Sequence, residues 1–135
     1  MGGQRLKLLL DTHTFIWAAN VRSRSRLSRS ARDAIEDRRN ETLISAASAW
    51  EIATLHRLGR LDAGARITGQ WSEALADLAA RDLAITSEHG LLAGGFAAKH
   101  RDPFDRMLAA QAIIEGAHLV TADPAMNVFG AQLLW

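Results

Sequence analysis

The sequence has 135 residues, 48% of them hydrophobic and 23% charged, a length and balance that suit one soluble domain with a real core. The absence of cysteine excludes a disulfide framework and any thiolate ligand or nucleophile. The net charge of +1 says little about partners; its distribution says more.

No apolar run reaches the ~20 residues of a membrane span, and the run at 6–10 is too short for a secretory leader core. A cytoplasmic protein without membrane contact is therefore expected. Fourteen of the sixteen basic residues are Arg, and Arg22, Arg24, Arg26, Arg29, Arg32, Arg38 and Arg39 fall within eighteen positions. Asp33, Glu36 and Asp37 are interleaved with them. That segment reads either as a solvated helix face or as a planar, bidentate grip on phosphate or carboxylate groups.

In chain order, residues 6–10 are a short apolar run of the kind expected for a strand buried on both faces. The run ends at Asp11-Thr12, which can cap a helix over 14–19. Residues 21–26, Arg/Ser-rich, read as a loop. Ser28 suits the N-cap of a helix to about residue 39, with Ala31, Ala34 and Ile35 inward. A second strand is predicted at 42–45, and a helix at 46–58 that stops at Gly59. A helix over 67–80, a third strand at 83–86 and a Gly-broken helix over 88–98 follow. Asp102-Pro103 opens a helix that runs to 115 and closes at Gly116. A fourth strand is predicted at 118–121 and a last, edge strand at 128–135. Alternating strands and helices imply a three-layer α/β/α fold around a central, mainly parallel sheet of four to five strands, in a single domain over 1–135.

In such folds sites form beyond the carboxyl ends of the strands, where the strand order switches. Acidic residues stand there. Asp11 ends the first strand and Asp123 follows the fourth; each also suits a structural role, as a helix cap and an Asp-Pro turn. Glu51 has Ala47, Ser48, Thr54 and Leu55 as its helical neighbours, an inward stripe with no Lys or Arg to pair it. A buried, unpaired carboxylate costs several kcal/mol unless a cation meets it, which points to a metal. Asp102 fits an N-cap and Asp105 the N3 position, yet Asp105 shares its stripe with Ala109 and Ala112, the small-residue face that would pack on the sheet. His13, His56, His89, His100 and His118 show no paired ligand spacing. Carboxylates without imidazole or thiolate favour a hard ion, Mg²⁺ or Mn²⁺. Trp17, Trp50, Trp71 and Trp135 read as core or interface residues rather than base-stacking platforms.

Four segments carry a resemblance: Leu-Leu-Leu-Asp11-Thr-His-Thr-Phe-Ile-Trp17, Ser45-Ala-Ala-Ser48-Ala-Trp-Glu51-Ile-Ala53, His100-Arg-Asp-Pro-Phe-Asp105 with its following helix, and Leu119-Val-Thr-Ala-Asp123. In this order and spacing they resemble the PIN-domain family, most of all the VapC-type toxins of bacterial toxin–antitoxin pairs. The resemblance implies a PIN-like fold and a Mg²⁺- or Mn²⁺-dependent endoribonuclease cleaving structured RNA to 5′-phosphate and 3′-hydroxyl ends. It places the family's four acids on Asp11, Glu51, Asp105 and Asp123, with Asp11 and Asp105 as direct ligands. Thr121 and Asp102 take supporting places. It further implies a homodimer and a cognate VapB-type antitoxin, for which Phe15, Ile16 and Trp50 are the expected receiving groove. A haloacid-dehalogenase-like phosphatase would need an Asp where His13 stands. A phospho-receiver would need a Lys after its last strand, and the chain's only lysines are Lys7 and Lys99. A catalytically silent RNA-binding PIN domain remains the alternative compatible with all four acids.

Overall fold

Strand β1 (Lys7–Leu10) shows why its leucines run without a polar break. Leu8 and Leu10 are buried in one core and Leu9 in another, because successive side chains of a strand point to opposite faces of its sheet. These observations come from a computed structural model that describes residues 5–135; the first four positions of the expected domain lie outside it. The other strands are β2 (Glu41–Ser45), β3 (Ala80–Leu83), β4 (His118–Val120) and β5 (Leu133–Leu134). All pair in parallel, in the order β3-β2-β1-β4-β5. Leu10 lies opposite both Ile44 and Val120.

Helices cover both faces. The first core joins Leu8, Leu10, Ile44 and Val120 to helices α1 (Thr12–Ala19), α2 (Arg29–Glu36), α3 (Ala46–Arg57), α4 (Gly64–Gly69) and α5 (Trp71–Asp77). The second joins Leu9, Leu43 and Leu119 to Leu108, Ala109 and Ala112 of helix α7 (Pro103–Glu115) and to Met126 and Phe129. Helix α6 (Ser87–Gly95) packs beside α7. Ala109 and Ala112 are essentially buried, which explains the small stripe: a bulkier side chain there would push α7 off the sheet.

Local chemistry sets most element ends. Asp11, Ser28, Ser45, Thr86 and Asp102 cap α1, α2, α3, α6 and α7, each accepting a backbone N–H with its side chain. Pro103 occupies the first turn of α7, and Gly116 closes the helix at φ 66°, left-handed backbone that a residue without Cβ adopts freely.

Several expected elements differ. The helix expected over 67–80 is two short ones, because Gln70 leaves helical geometry between them. Ala79, at φ 51°, turns the chain early, so β3 begins at Ala80 and ends where the third strand was expected to start. The last strand shrinks to Leu133–Leu134, since Pro124–Phe129 forms a 3-10 turn capped by Asp123 and closed by Gly130. Residues 21–26, expected as a loop, form a further 3-10 turn, and α2 ends at Glu36 instead of near 39.

The Arg-rich segment is neither of the two alternatives in full. Arg24 donates to the Ala18 carbonyl at 3.0 Å, Arg32 to that of Arg24 at 2.8 Å, and Arg38 to those of Leu78 and Asp77 at 2.8 and 3.3 Å. These guanidinium groups tie connecting segments to one another.

Arg106 does the same on a larger scale. It donates to the carbonyls of Ala93, Gly94, Phe96, Ala98 and His100 at 2.7 to 3.4 Å, which fixes the whole segment between α6 and α7. Charged donors to backbone acceptors are worth more than neutral ones, and their loss leaves carbonyls without partners. Arg106→Ala should therefore lower the unfolding free energy by about 3 kcal/mol in urea titrations, and Arg106→Lys should recover only part of it. A loss below about 0.5 kcal/mol, the range of ordinary surface substitutions, would contradict this role.

Candidate active site

The strand order places the switch point between β1 and β4: the chain moves outward from β1 to β2 and β3, then returns to β4 and β5. Crossover helices leave in opposite directions there, and a crevice opens beyond the carboxyl ends. Asp11 follows β1 directly, and its backbone N–H donates to the Val120 carbonyl at the end of β4, at 3.0 Å. Thr121 and Asp123 continue from β4, and the Thr121 hydroxyl accepts from the Asp123 backbone N–H at 3.1 Å.

The crevice holds a cavity of about 200 Å³ lined by Asp11, Thr12, His13, Glu51, Asp102, Asp105, Thr121, Asp123 and Met126. All four expected acids line it, together with both supporting residues. No Lys or Arg does. Among the described residues none of the four acids pairs with a Lys or Arg; Asp105 alone meets an ionisable partner, His100, at 2.8 Å.

Each carboxylate is held by one oxygen. Asp11 Oδ1 accepts from the Thr14 N–H at 2.8 Å, and Asp123 Oδ1 from the Ala125 N–H at 2.9 Å. Glu51 Oε1 accepts from the Thr12 hydroxyl, which also shares a 3.1 Å hydrogen bond with Ser48. Asp105 Oδ2 is the atom that meets His100 Nε2. The second oxygen of all four carries no hydrogen bond among the described residues. Asp102 is a cap in the full sense, its Oδ1 accepting from the Phe104 and Asp105 N–H groups at 2.9 and 3.3 Å.

Thr12, Ser48 and His100 were not singled out from the sequence. Ser48 stands three positions before Glu51 on the same helical stripe, so its nearness was implicit. His100 reaches Asp105 around a bend outside the helix, which no periodicity encodes. The expected partner groove needs correction: Phe15 and Ile16 are only 0% and 6% exposed, packed in the first core, whereas Trp50 is 65% exposed with its ring 4.9 Å from that of Phe104.

Burial pushes the Glu51 carboxyl above its ordinary range; the Thr12 hydrogen bond opposes this, and the negative charges of Asp102 and Asp105 add to it. Burial raises Asp105 likewise, opposed by the His100 hydrogen bond and His100 charge and reinforced by Asp102 and Asp11. Carboxylate oxygens free of hydrogen bonds, and negative charge that no Lys or Arg among the lining residues offsets, are the chemistry that suits a hard divalent cation. Among the described residues no three acid or imidazole groups stand together at full ligand spacing.

The raised carboxyls give a sign for stability. In metal-free protein the folded state holds more protons than the unfolded one once pH passes the ordinary values of 4.5 and 3.8 for Glu51 and Asp105. Stability from these two groups therefore falls as pH rises through that window and stays reduced above it. In chelator, Glu51→Gln and Asp105→Asn should each raise Tm at pH 7 relative to the parent protein, with the gain vanishing near pH 4. A lower Tm for both variants at pH 7 would contradict the account.

The sequence matches the PIN domain family over residues 8–131. No curated protein matches it. The fold is similar to that of VapBC2 from Rickettsia felis, solved bound to a DNA fragment from their promoter, with a TM-score of 0.69 at 16% identity, covering 96% of this chain and 98% of that one. It is similar also to FitAcB from Neisseria gonorrhoeae (TM-score 0.65, 18% identity, 95% and 96% covered). A protein of Pyrobaculum aerophilum, PAE2754, matches at TM-score 0.52 and 18% identity, with 92% and 79% covered. At such identities the likeness is one of fold. The family match spans nearly the whole chain and falls on a parallel α/β/α sheet with an acid-lined crevice at its switch point, and the chain belongs to the PIN domain family.

Proposed function

We propose that this protein is a Mg²⁺- or Mn²⁺-dependent endoribonuclease of the VapC toxin type, held in check by a cognate VapB-type antitoxin. The observation that carries this reading is the crevice itself, where acids from four separate segments line one cavity with no Lys or Arg among them. Membership of the PIN domain family and the fold likeness to VapBC2 and FitAcB support it.

Asp11 and Asp105 would hold the ion, with Asp123 and Glu51 completing its surroundings directly or through water. When bound, a divalent cation offsets the charge of a phosphodiester and lowers the pKa of a water molecule. The chain's own residues do the rest. Thr12 and Ser48 fix the Glu51 carboxylate, and Thr121 fixes the backbone that presents Asp123. Glu51 or Asp123 then accepts a proton from the attacking water, and His100 keeps Asp105 in one rotamer through its Oδ2 contact. Crowded carboxylates also repel a bare phosphate, so RNA is admitted only when the acid charge is offset. Exposed Trp50 with half-buried Phe104, on the turns that carry Glu51 and Asp105, is the apolar surface this reading assigns to the antitoxin or to a second copy in a homodimer. Among the described residues no helix is long and apolar enough to cross a membrane.

Incubation of purified protein with total RNA tests the reading. Cleavage should require Mg²⁺ or Mn²⁺, stop in chelator, and fall by more than about a hundredfold in Asp11→Asn, since even groups that only support a metal ligand are worth 10–100-fold. Cleavage that persists in chelator, or in Asp11→Asn at the parent rate, would overturn the mechanism. Binding of RNA without any cleavage in the metal-loaded protein would favour a silent RNA-binding domain.

A further inference from the structure

The acid cavity does not end at Asp11 and Asp123. A second cavity, of about 230 Å³, is lined by Asp11, His13, Trp17, Ala122 and Asp123. Asp11, His13 and Asp123 line both, so the two are neighbouring compartments of one crevice. Their walls differ in kind. The first is lined mainly by carboxylates and hydroxyls, and the second has the Trp17 indole, which the first lacks.

The aromatic wall extends past the cavity. The Trp17 ring lies 6.1 Å from His13 and 6.0 Å from Trp135, tilted by 52° and 59°. The Arg26 guanidinium stands 5.9 Å from the centre of the Trp17 ring, within cation–π range. Trp17 packs in part against the first core, which accounts for one side of the indole. Core packing does not account for the rest: His13 and Arg26 are exposed and Trp135 is 38% exposed. Trp50 is more exposed still, at 65%, yet neither it nor its neighbour Phe104 lines either cavity.

We propose that the second cavity receives one unpaired nucleobase of the substrate, the one adjoining the cleaved phosphate. Trp17 and His13 form the stacking surface, Trp135 flanks it, and Arg26 meets a neighbouring phosphate. This subsite rests on the nuclease reading above and specifies its substrate as single-stranded RNA. The chemistry is complementary on both sides of Asp11: an acid compartment for the cation and the reacting phosphate, an aromatic one for the attached base. The volume falls below the ~300–1,000 Å³ of pockets for drug-sized ligands, which suits one planar ring system. Stacking on an aromatic face tolerates every base, and a base reaches such a face only when it is unstacked, as in loops and single strands. An apolar side chain of a protein partner fits less well, because seating it would strip water from Asp11 and Asp123 without offering them a donor.

The test uses Asp105→Asn protein, which keeps every residue of the second cavity, in Mg²⁺, titrated with a short single-stranded oligoribonucleotide and with the fully paired duplex of the same sequence. Tryptophan fluorescence is the readout. The single strand should quench the emission and the duplex should not. Adding Trp17→Ala should weaken single-strand binding about tenfold or more and abolish most of the quench, while Trp17→Phe, which keeps a flat face, should retain most of the affinity. Arg26→Ala should weaken binding a few-fold and flatten its salt dependence. Should Trp17→Ala fail to fold, Arg26→Ala and Trp135→Ala at exposed positions decide the matter, and unchanged affinity in both overturns the proposal. Equal binding of strand and duplex overturns it too. A changed oligomeric state of these variants on size exclusion, with unchanged oligonucleotide affinity, would make the surface a protein contact and also overturn it. RNA cleavage by the parent protein, scored separately, keeps the two readings apart. Cleavage with variant-independent binding sinks the subsite alone, whereas variant-sensitive binding without any cleavage sinks the nuclease reading and leaves the base site standing.

Discussion

Like charges have to be brought together and kept together here, and the structure depends on how that is done. Asp11, Glu51, Asp105 and Asp123 face one small cavity from which every Lys and Arg among its lining residues is absent. In water each would be solvated at no cost; half-buried beside one another, Glu51 and Asp105 hold their protons more tightly than ordinary carboxyls. The sheet makes the arrangement tolerable. Leu8, Leu9 and Leu10 are fully buried, and the parallel ladder to β2 and β4 fixes where β1 ends, so Asp11 cannot retreat from its neighbours. Electrostatic strain at the site is offset by apolar burial elsewhere, as expected where a fold carries a charged site.

Each acid serves the fold and the site at once. One oxygen of Asp11 caps α1 and one of Asp123 caps the following 3-10 turn, while one of Glu51 and one of Asp105 rest on Thr12 and His100. The remaining oxygens carry no hydrogen bond among the described residues. A side chain anchored by one oxygen has little rotamer freedom left to lose. The capping role that the sequence offered for Asp11 and Asp123 is present, and it occupies one oxygen of each.

How much of this was legible follows from which signals are local. Strands β1, β2 and β4 and helix α7 could be read because apolar runs, Asp-Pro starts and Gly stops act within a few residues of where they stand. The break at Gln70 and the left-handed turn at Ala79 could not, since neither residue type announces it and packing imposes it. Strand β3 was misplaced for that reason. The burial of Phe15 and Ile16 was likewise hidden: a short helix apolar on several sides does not say which side meets the core. In the site, the acids were found from their places after strands and on helical stripes. Thr12 and His100 escaped because their contacts cross between segments, 39 and 5 positions apart, through the tertiary fold.

The proposed function needs a hard cation held jointly by these four carboxylates, and metal binding itself is the most direct test. Free Mn²⁺ gives an electron paramagnetic resonance signal that disappears when the ion is bound, so its titration reads the site without any substrate. The account predicts that the parent protein binds Mn²⁺ and that Asp11→Asn, Glu51→Gln, Asp105→Asn and Asp123→Asn each weaken that binding, Asp11 and Asp105 most. Equal Mn²⁺ affinity in the parent and all four variants would contradict it.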